Sequence, residues 1–346
     1  MDIYIMNKSF ERLGLIEGAN IIWTSKYYDV GDFEIYVEAN EKNISLLQAG
    51  NYAYRMDDEN IGIIEKIKIG NNDEEEEYIT ATGRFSESIL ERRIVWEQTL
   101  LSGTVEKGLR KLVTENIINP SISDRKIENI ILGTLKGYSD VLEAQYTGDN
   151  ILEIHKKVSL ASQIGFKLKF NFDFDNPIFS HELYKGIDRS YNQKENSFVV
   201  FSDEYDNLLT SEYECNISNI KNVALVAGEG EGKERKTAVV GSATGLERRE
   251  IFVDARNLST NSGEISATEY NNALKEKGLE NISTITQAFS GEVDLGLNYK
   301  FKKDFFLGDI VTIKNEKWGI YINSRITQVI EVEDESGYKI TPTFGS

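Results

Sequence analysis

The sequence predicts a β-rich α+β chain organised as β, then α/β, then β. Three observations predict it. Short apolar segments separated by turn signals fill Ile3 to Gly83; helical periods mix with strands between Leu100 and Ser202; strand signals dominate again from Asn207 onwards. The expected regions are 1–99, 100–202 and 203–346, the last with a helical insertion over 265–283. Two or three compact units suit 346 residues at roughly 100–200 residues per domain.

In the first region IYIM, NIIWTSKYY, DFEIYVEA, YAYRM, IGIIEKIKI and EYITATG read as strands. Ile61, Ile63, Ile67 and Ile69, with Glu65, Lys66 and Lys68 interposed, keep the two-residue alternation of a strand with one wet face. Glu41 to Ala49 alone takes a helical period. Asn71 to Glu77 reads as a hairpin tip that leaves Asp73, Glu74, Glu75, Glu76 and Glu77 facing water.

After Arg84 the period changes. Ser86 and the acid after it suit a helix start, and Val105, Leu109, Leu112 and Val113 form one helical stripe. A second amphipathic helix runs through GDNILEIHKKVSLASQIGF, with Asp149 or Asn150 as its cap and Gly165 as its stop. FKLKFNFDF, Phe166 to Phe174, alternates as a strand. In the last region ISATEYNNALKEKGLENI is a helix capped by Ser266 or Thr268, with Tyr270, Leu274 and Leu279 on its buried side. The two β regions have similar size and character, as duplication of a barrel would produce.

Composition narrows the function. An apolar fraction of 40 % with 28 % charged residues is that of a folded chain. Lys plus Arg total 39 against 57 Asp plus Glu, and the net charge of −18 would repel a phosphate backbone. The single Cys215 excludes an intrachain disulfide and a thiolate zinc cage. MDIYIMNKSF lacks the cationic start of a secretory signal, and no apolar run reaches the ~20 residues of a membrane-crossing helix, so no membrane anchor is expected.

The motifs that invite chemistry fail on spacing. AGEGEGKER, Ala227 to Arg235, has glycines ahead of a lysine, but a phosphate-cradling loop needs Gly where Ala227 stands and Ser or Thr where Glu234 stands. Glu229 and Glu231 would repel the phosphate, so the stretch reads as an exposed, mobile hairpin loop. The two histidines, His155 and His181, form no zinc or hydrolase pattern, and His155, beside Lys156 and Lys157, reads as a solvated surface residue. The acids are numerous enough for a glycosidase pair, a spatial property that spacing does not reveal. Trp23, Tyr27 and Tyr28 lie together, where aromatic residues either fill a core or offer a glycan platform or subunit interface. No catalytic residue, cofactor or metal site is expected.

Several strings in order carry a resemblance. IIWTSKYYDVGDFEIYV (Ile21 to Val37), IGIIEKI (Ile61 to Ile67), GRFSESILERRIVW (Gly83 to Trp96), ELYKGIDRSYNQ (Glu182 to Gln193), NVALVAGEGEGKERKTAVVG (Asn222 to Gly241), RREIFVDARNLS (Arg248 to Ser259) and DFFLGDIVTI (Asp304 to Ile313) span nearly the whole chain. The sequence resembles the siphophage tail hub family, tail-tip structural proteins of phages and prophages of Gram-positive bacteria.

The resemblance implies two small β-barrel hub domains with an intervening α/β lobe, and a homotrimer whose six barrels match a hexameric tail tube. It implies a non-enzymatic virion protein of the tail tip or baseplate, assembled in the bacterial host cytoplasm. The implied partners are other copies of itself, the distal tail protein, the tape measure protein and downstream fibre or receptor-binding proteins, with DNA only in passage. An acidic surface facing the lumen would discourage DNA from sticking. Arg84, Arg92, Arg93, Arg248 and Arg249 lie inside the resembling segments and suit interface ion pairs. The chain ends at TPTFGS, directly after a strand, so no lytic domain is expected. A cell-wall glycan hydrolase or glycan-binding tip module is the alternative.

Overall fold

The computed structural model describes residues 1–71, 76–263, 265–283, 286–293 and 299–345. They are β-rich, 42 % strand against 20 % helix, as expected. Two units result, each assembled from separated stretches. The first joins Met1–Ser88, Gly165–Glu214 and Gln287–Ser346; the second joins Ile89–Ile164 and Cys215–Thr286. The linear boundaries at 99 and 202 therefore do not coincide with the units, because strands far apart in sequence pair.

The chain opens with β1 (Ile3–Met6), β2 (Arg12–Ile16), β3 (Asn20–Lys26) and β4 (Asp32–Glu38). Helix α1 (Glu41–Leu46) follows, its Asn40 side chain accepting from the Asn43 backbone N–H. Then come β5 (Tyr52–Tyr54), β6 (Ile61–Asn71) and β7 (Glu77–Phe85). The expected tip between β6 and β7 forms an antiparallel pair closing at Asn71 and Glu77; Asp73, Glu74 and Glu75 lie outside the described residues, while Glu76 and Glu77 are exposed. The alternation of β6 does not persist. A bulge between Ile64 and Lys66 shifts the register, so Ile61, Ile63 and Ile64 are buried and Ile69 is exposed.

Ser86–Arg92 is a 3₁₀ turn. The second unit begins with β8 (Thr99–Thr104), α2 (Val105–Val113), β9 (Ile130–Leu132), β10 (Val141–Tyr146) and α3 (Ile151–Ser162). The stripe Val105, Leu109, Leu112 and Val113 is buried, as the period predicts. Asn150 caps α3, its side chain accepting from Leu152 and Glu153 N–H groups. Gln163, left-handed at φ 55°, ends it two residues before Gly165. The chain returns to the first unit through β11 (Gly165–Phe170), β12 (Phe179–Tyr184) and β13 (Val200–Ser202). β11 stops at Phe170 rather than Phe174 because a turn around Asn171 brings the chain back.

β14 (Glu212–Asn216) precedes the three-stranded sheet of the second unit: β15 (Val223–Ala227), β16 (Thr237–Val240) and β17 (Glu250–Asp254). β15 lies between antiparallel β16 and parallel β17. Helix α4 (Ala267–Leu279) covers one face of this sheet, Tyr270, Ala273 and Leu274 packing on Val226, Val240 and Val253. Ser266 and Glu269 form a reciprocal capping box. Leu279, expected inside, is 49 % exposed; Gly278 takes the buried place, where a Cβ would come within 2.6 Å of Val240.

The last strands, β18 (Thr286–Ser290), β19 (Ile310–Asn315), β20 (Ile320–Asp334) and β21 (Gly337–Gly345), belong with the first. The first unit carries the order β18-β21-β20-β3-β4-β7-β6-β5-β1-β2, with β19 pairing both β20 and β13. Among the described residues no closed barrel is found. The two β regions become lobes of one continuous sheet, joined where β20 pairs β3 from Glu333↔Ile21 to Gln328↔Lys26. Each lobe keeps its own core. Trp23 packs on Phe33 and Phe85 in one, and Phe201, Phe289, Phe305 and Phe344 fill the other. Among the described residues no helix is long and apolar enough to cross a membrane.

Candidate interaction surface

Of the residues expected at an interface, the first aromatic group is placed elsewhere. Trp23 and Tyr27 are fully buried, which removes both from any surface role. Trp23 donates through Nε1 to Asp58 Oδ2 at 3.1 Å, and the Tyr27 hydroxyl donates to the Tyr184 carbonyl at 3.0 Å. Tyr28 is half-buried edge-on against Tyr27, and burial pushes its hydroxyl up to about 12 despite the Arg325 charge.

The β3–β20 junction is clasped by buried charge. Arg55, 2 % exposed, grips Asp57 with two bonds of 2.9 and 2.7 Å and donates to Glu331 Oε1 at 3.1 Å. Lys302 reaches Asp58 at 2.7 Å and Glu331 at 3.2 Å. The Tyr338 hydroxyl donates to the same Glu331 at 2.5 Å. Burial opposes the Arg55 charge, but the bonds to Asp57 and the Glu331 charge hold its proton on more firmly than usual. The pattern of one carboxylate with three donors fits a structural tie between lobes.

The arginines divide. In the first unit Arg84 is bidentate to Glu65, both bonds 2.9 Å. In the second, Arg248 pairs with Glu250 at 2.5 Å and Arg249 donates to the Ile217 carbonyl. Arg93 donates to the Arg125 carbonyl at 2.7 Å, and Arg92 is exposed. Arg92 and Arg93 line a shallow groove of about 370 Å³ with Ile94, Trp96, Ile122 and Arg125. Trp96 is 52 % exposed with the Arg125 guanidinium 4.9 Å from its ring centre. Burial and the neighbouring Arg93 charge lower the Arg125 pKa. Exposed Trp with Arg and Ile is the composition of protein-binding anchors. Trp96 stands outside the residues the sequence singles out, although the Arg92–Arg93 pair just before it is the available signal.

The glycine-rich loop forms the expected β15–β16 hairpin tip, but it is tied down. Glu229 accepts from Lys236 at 2.6 Å and from both the Thr260 N–H and hydroxyl at 3.0 and 2.7 Å. The Lys236 bond foremost pulls its carboxyl down to about 2. Arg235 donates to the Gly228 and Ala227 carbonyls. Glu231 is exposed. His155 is a correction: it is fully buried in α3, its Nδ1 donating to the Ile151 carbonyl at 2.8 Å, and burial lowers its pKa to about 4. Its lysine neighbours face other sides of the helix. His181 is buried in β12.

The family described as Siphovirus ReqiPepy6 Gp37-like protein matches residues 2–346. The chain belongs to this family. It is a family of phage tail proteins. No curated protein matches by sequence. Among solved structures, the tail protein from Neisseria meningitidis MC58 is similar with a TM-score of 0.56 at 12 % identity, over 100 % of this chain and 96 % of its own. The 43 kDa tail protein of prophage MuSo2 from Shewanella oneidensis has a TM-score of 0.56 at 11 % identity, over 99 % of this chain and 98 % of its own. The prophage tail protein gp18 from Listeria monocytogenes EGD-e follows at 0.50 and 11 %, over 99 % and 94 %. At such identities the likeness is one of fold.

Proposed function

We propose that this chain is a non-enzymatic structural subunit of the phage tail tip, a hub joining the tail tube to the distal tip or baseplate around the DNA passage. The observation that carries the reading is extent: the tail-protein family covers residues 2–346, and two solved tail proteins share the fold over 99 % or more of the chain. With two β lobes in each subunit, three subunits would offer six to a hexameric tube. The net charge of −18 keeps passing DNA from adhering. The Trp96 groove, with Arg92 and Arg93, is the surface best composed for a contact between copies. Distal tail, tape measure and fibre proteins are the neighbours this role requires, in a virion tail assembled in the host cytoplasm.

Mass measurement and imaging of the chain with those neighbours test this. A threefold ring between tube and tip is expected, with Trp96→Ala moving subunits out of the ring. A chain that stays monomeric beside its neighbours, and is absent from imaged tails, overturns the reading.

A further inference from the structure

The first unit contains a cavity of about 530 Å³ whose wall includes Phe85, Glu87, Phe166, Lys167, Tyr184 and Lys302. Small ligands occupy cavities of roughly 300–1,000 Å³. Two alkylammonium groups of the chain already sit on this wall in the same manner. Lys167 Nζ lies 5.2 Å from the Tyr184 ring centre and 2.6 Å from Glu59 Oε2. Lys302 Nζ lies 5.3 Å from the Phe301 ring centre and 2.7 Å from Asp58 Oδ2. Each ammonium has an aromatic face and a carboxylate, Lys302 reaching Glu331 as well, the two kinds of attraction that offset its desolvation.

Glu87 lines the same cavity, and one of its carboxyl oxygens has no donor. Glu87 is 4 % exposed. Its Oε1 accepts from the Leu168 N–H at 3.0 Å, while its Oε2 is buried and has no hydrogen-bond partner. Of the four lysines on the wall, Lys167 pairs with Glu59, Lys302 with Asp58 and Lys26 with Asp32, and Lys185 also has an interaction of its own. Phe85 and Phe166, each 2 % exposed, supply apolar wall for an aliphatic stem.

We propose that this cavity binds a further alkylammonium group, supplied from outside the chain, whose N–H donors meet Glu87 Oε2. A lysine side chain of a partner protein and a free diamine carry the same chemistry. The inference goes beyond the hub reading and does not depend on it.

Titration of the isotopically labelled full chain with N-acetyl-lysine-N′-methylamide, putrescine and the uncharged N-acetyl-norleucine-N′-methylamide, read by NMR, tests it. Saturable shifts are expected at the Leu168 amide and the Glu87 carboxyl. Affinity should fall about tenfold or more for the norleucine compound and for Glu87→Gln, the loss of one charge-assisted hydrogen bond. Binding of the capped lysine points to a protein side chain and binding of putrescine alone to a free amine; both support the site. In wild type, bound amine should also move the Glu87 carboxyl titration to lower pH, a readout that needs no variant to fold. No saturable shift, equal binding of the norleucine compound, an unaffected Glu87→Gln or an unmoved titration overturns the proposal.

Discussion

At the residue scale two buried titratable groups give the two units opposite responses to pH. Burial foremost pushes the Glu87 carboxyl from 4.5 up to about 7, against the Leu168 N–H that favours its charge. The folded state holds the proton more tightly than the unfolded one. This contribution to stability is therefore complete below about pH 4.5 and lost as pH rises to about 7. Glu87→Gln, which copies the protonated form, should gain on wild type by on the order of 3 kcal/mol between pH 4.5 and 8, at about 1.4 kcal/mol per pKa unit. Denaturant unfolding of both proteins across that range checks it; parallel curves would refute the assignment. His155 runs the other way. Burial lowers it from 6.5 to about 4, so its contribution is present above 6.5 and lost as pH falls towards 4. His155→Gln should flatten that acid-side slope in the second unit, measured by the same titration.

At the element scale the β3–β20 pairing is the decisive contact, and the Arg55–Glu331 tie stands beside it. Glu331 faces Trp23 across the two strands, and both Arg55 and Glu331 are almost fully buried. Removing one partner leaves a buried charge with fewer donors, at a cost of about 3–5 kcal/mol when a pair is broken. Arg55→Met should approach the lower end of that range, since Lys302 and Tyr338 still reach Glu331. Adding Glu331→Leu should restore only part of the loss, because the apolar pair needs no compensation but Lys302 and the Tyr338 hydroxyl lose their Glu331 acceptor. A double-mutant cycle by chemical denaturation measures both, and strictly additive losses would show that the pair is not coupled.

At the scale of the whole molecule the two units are interleaved along the chain. Residues 100–202 carry α2 and α3 of the second unit together with β11 and β12 of the first. A fragment of 100–202 should therefore lack a cooperative unfolding transition, while the full chain unfolds cooperatively; calorimetry distinguishes the two. The fragment 1–99 should fare no better, since β3 would lose β20 and expose an unpaired edge.

Local order was legible before any coordinates. The helical stripe of α2, the Asn150 and Ser266 caps, the β15–β16 hairpin and the β-rich class all follow from period and cap chemistry, which act within a few residues. Periodicity says which face of an element is wet but not what dries the other. His155 therefore read as solvated, and Trp23 and Tyr27 stayed open between core and interface. The joining of β3 to β20 across some three hundred residues, the bulge that turns Ile69 outward, and the meeting of Glu87 with three lysine–carboxylate pairs belong to tertiary structure alone. Long-range pairing is selected by the packing of the whole sheet, and no short window of residues carries that information.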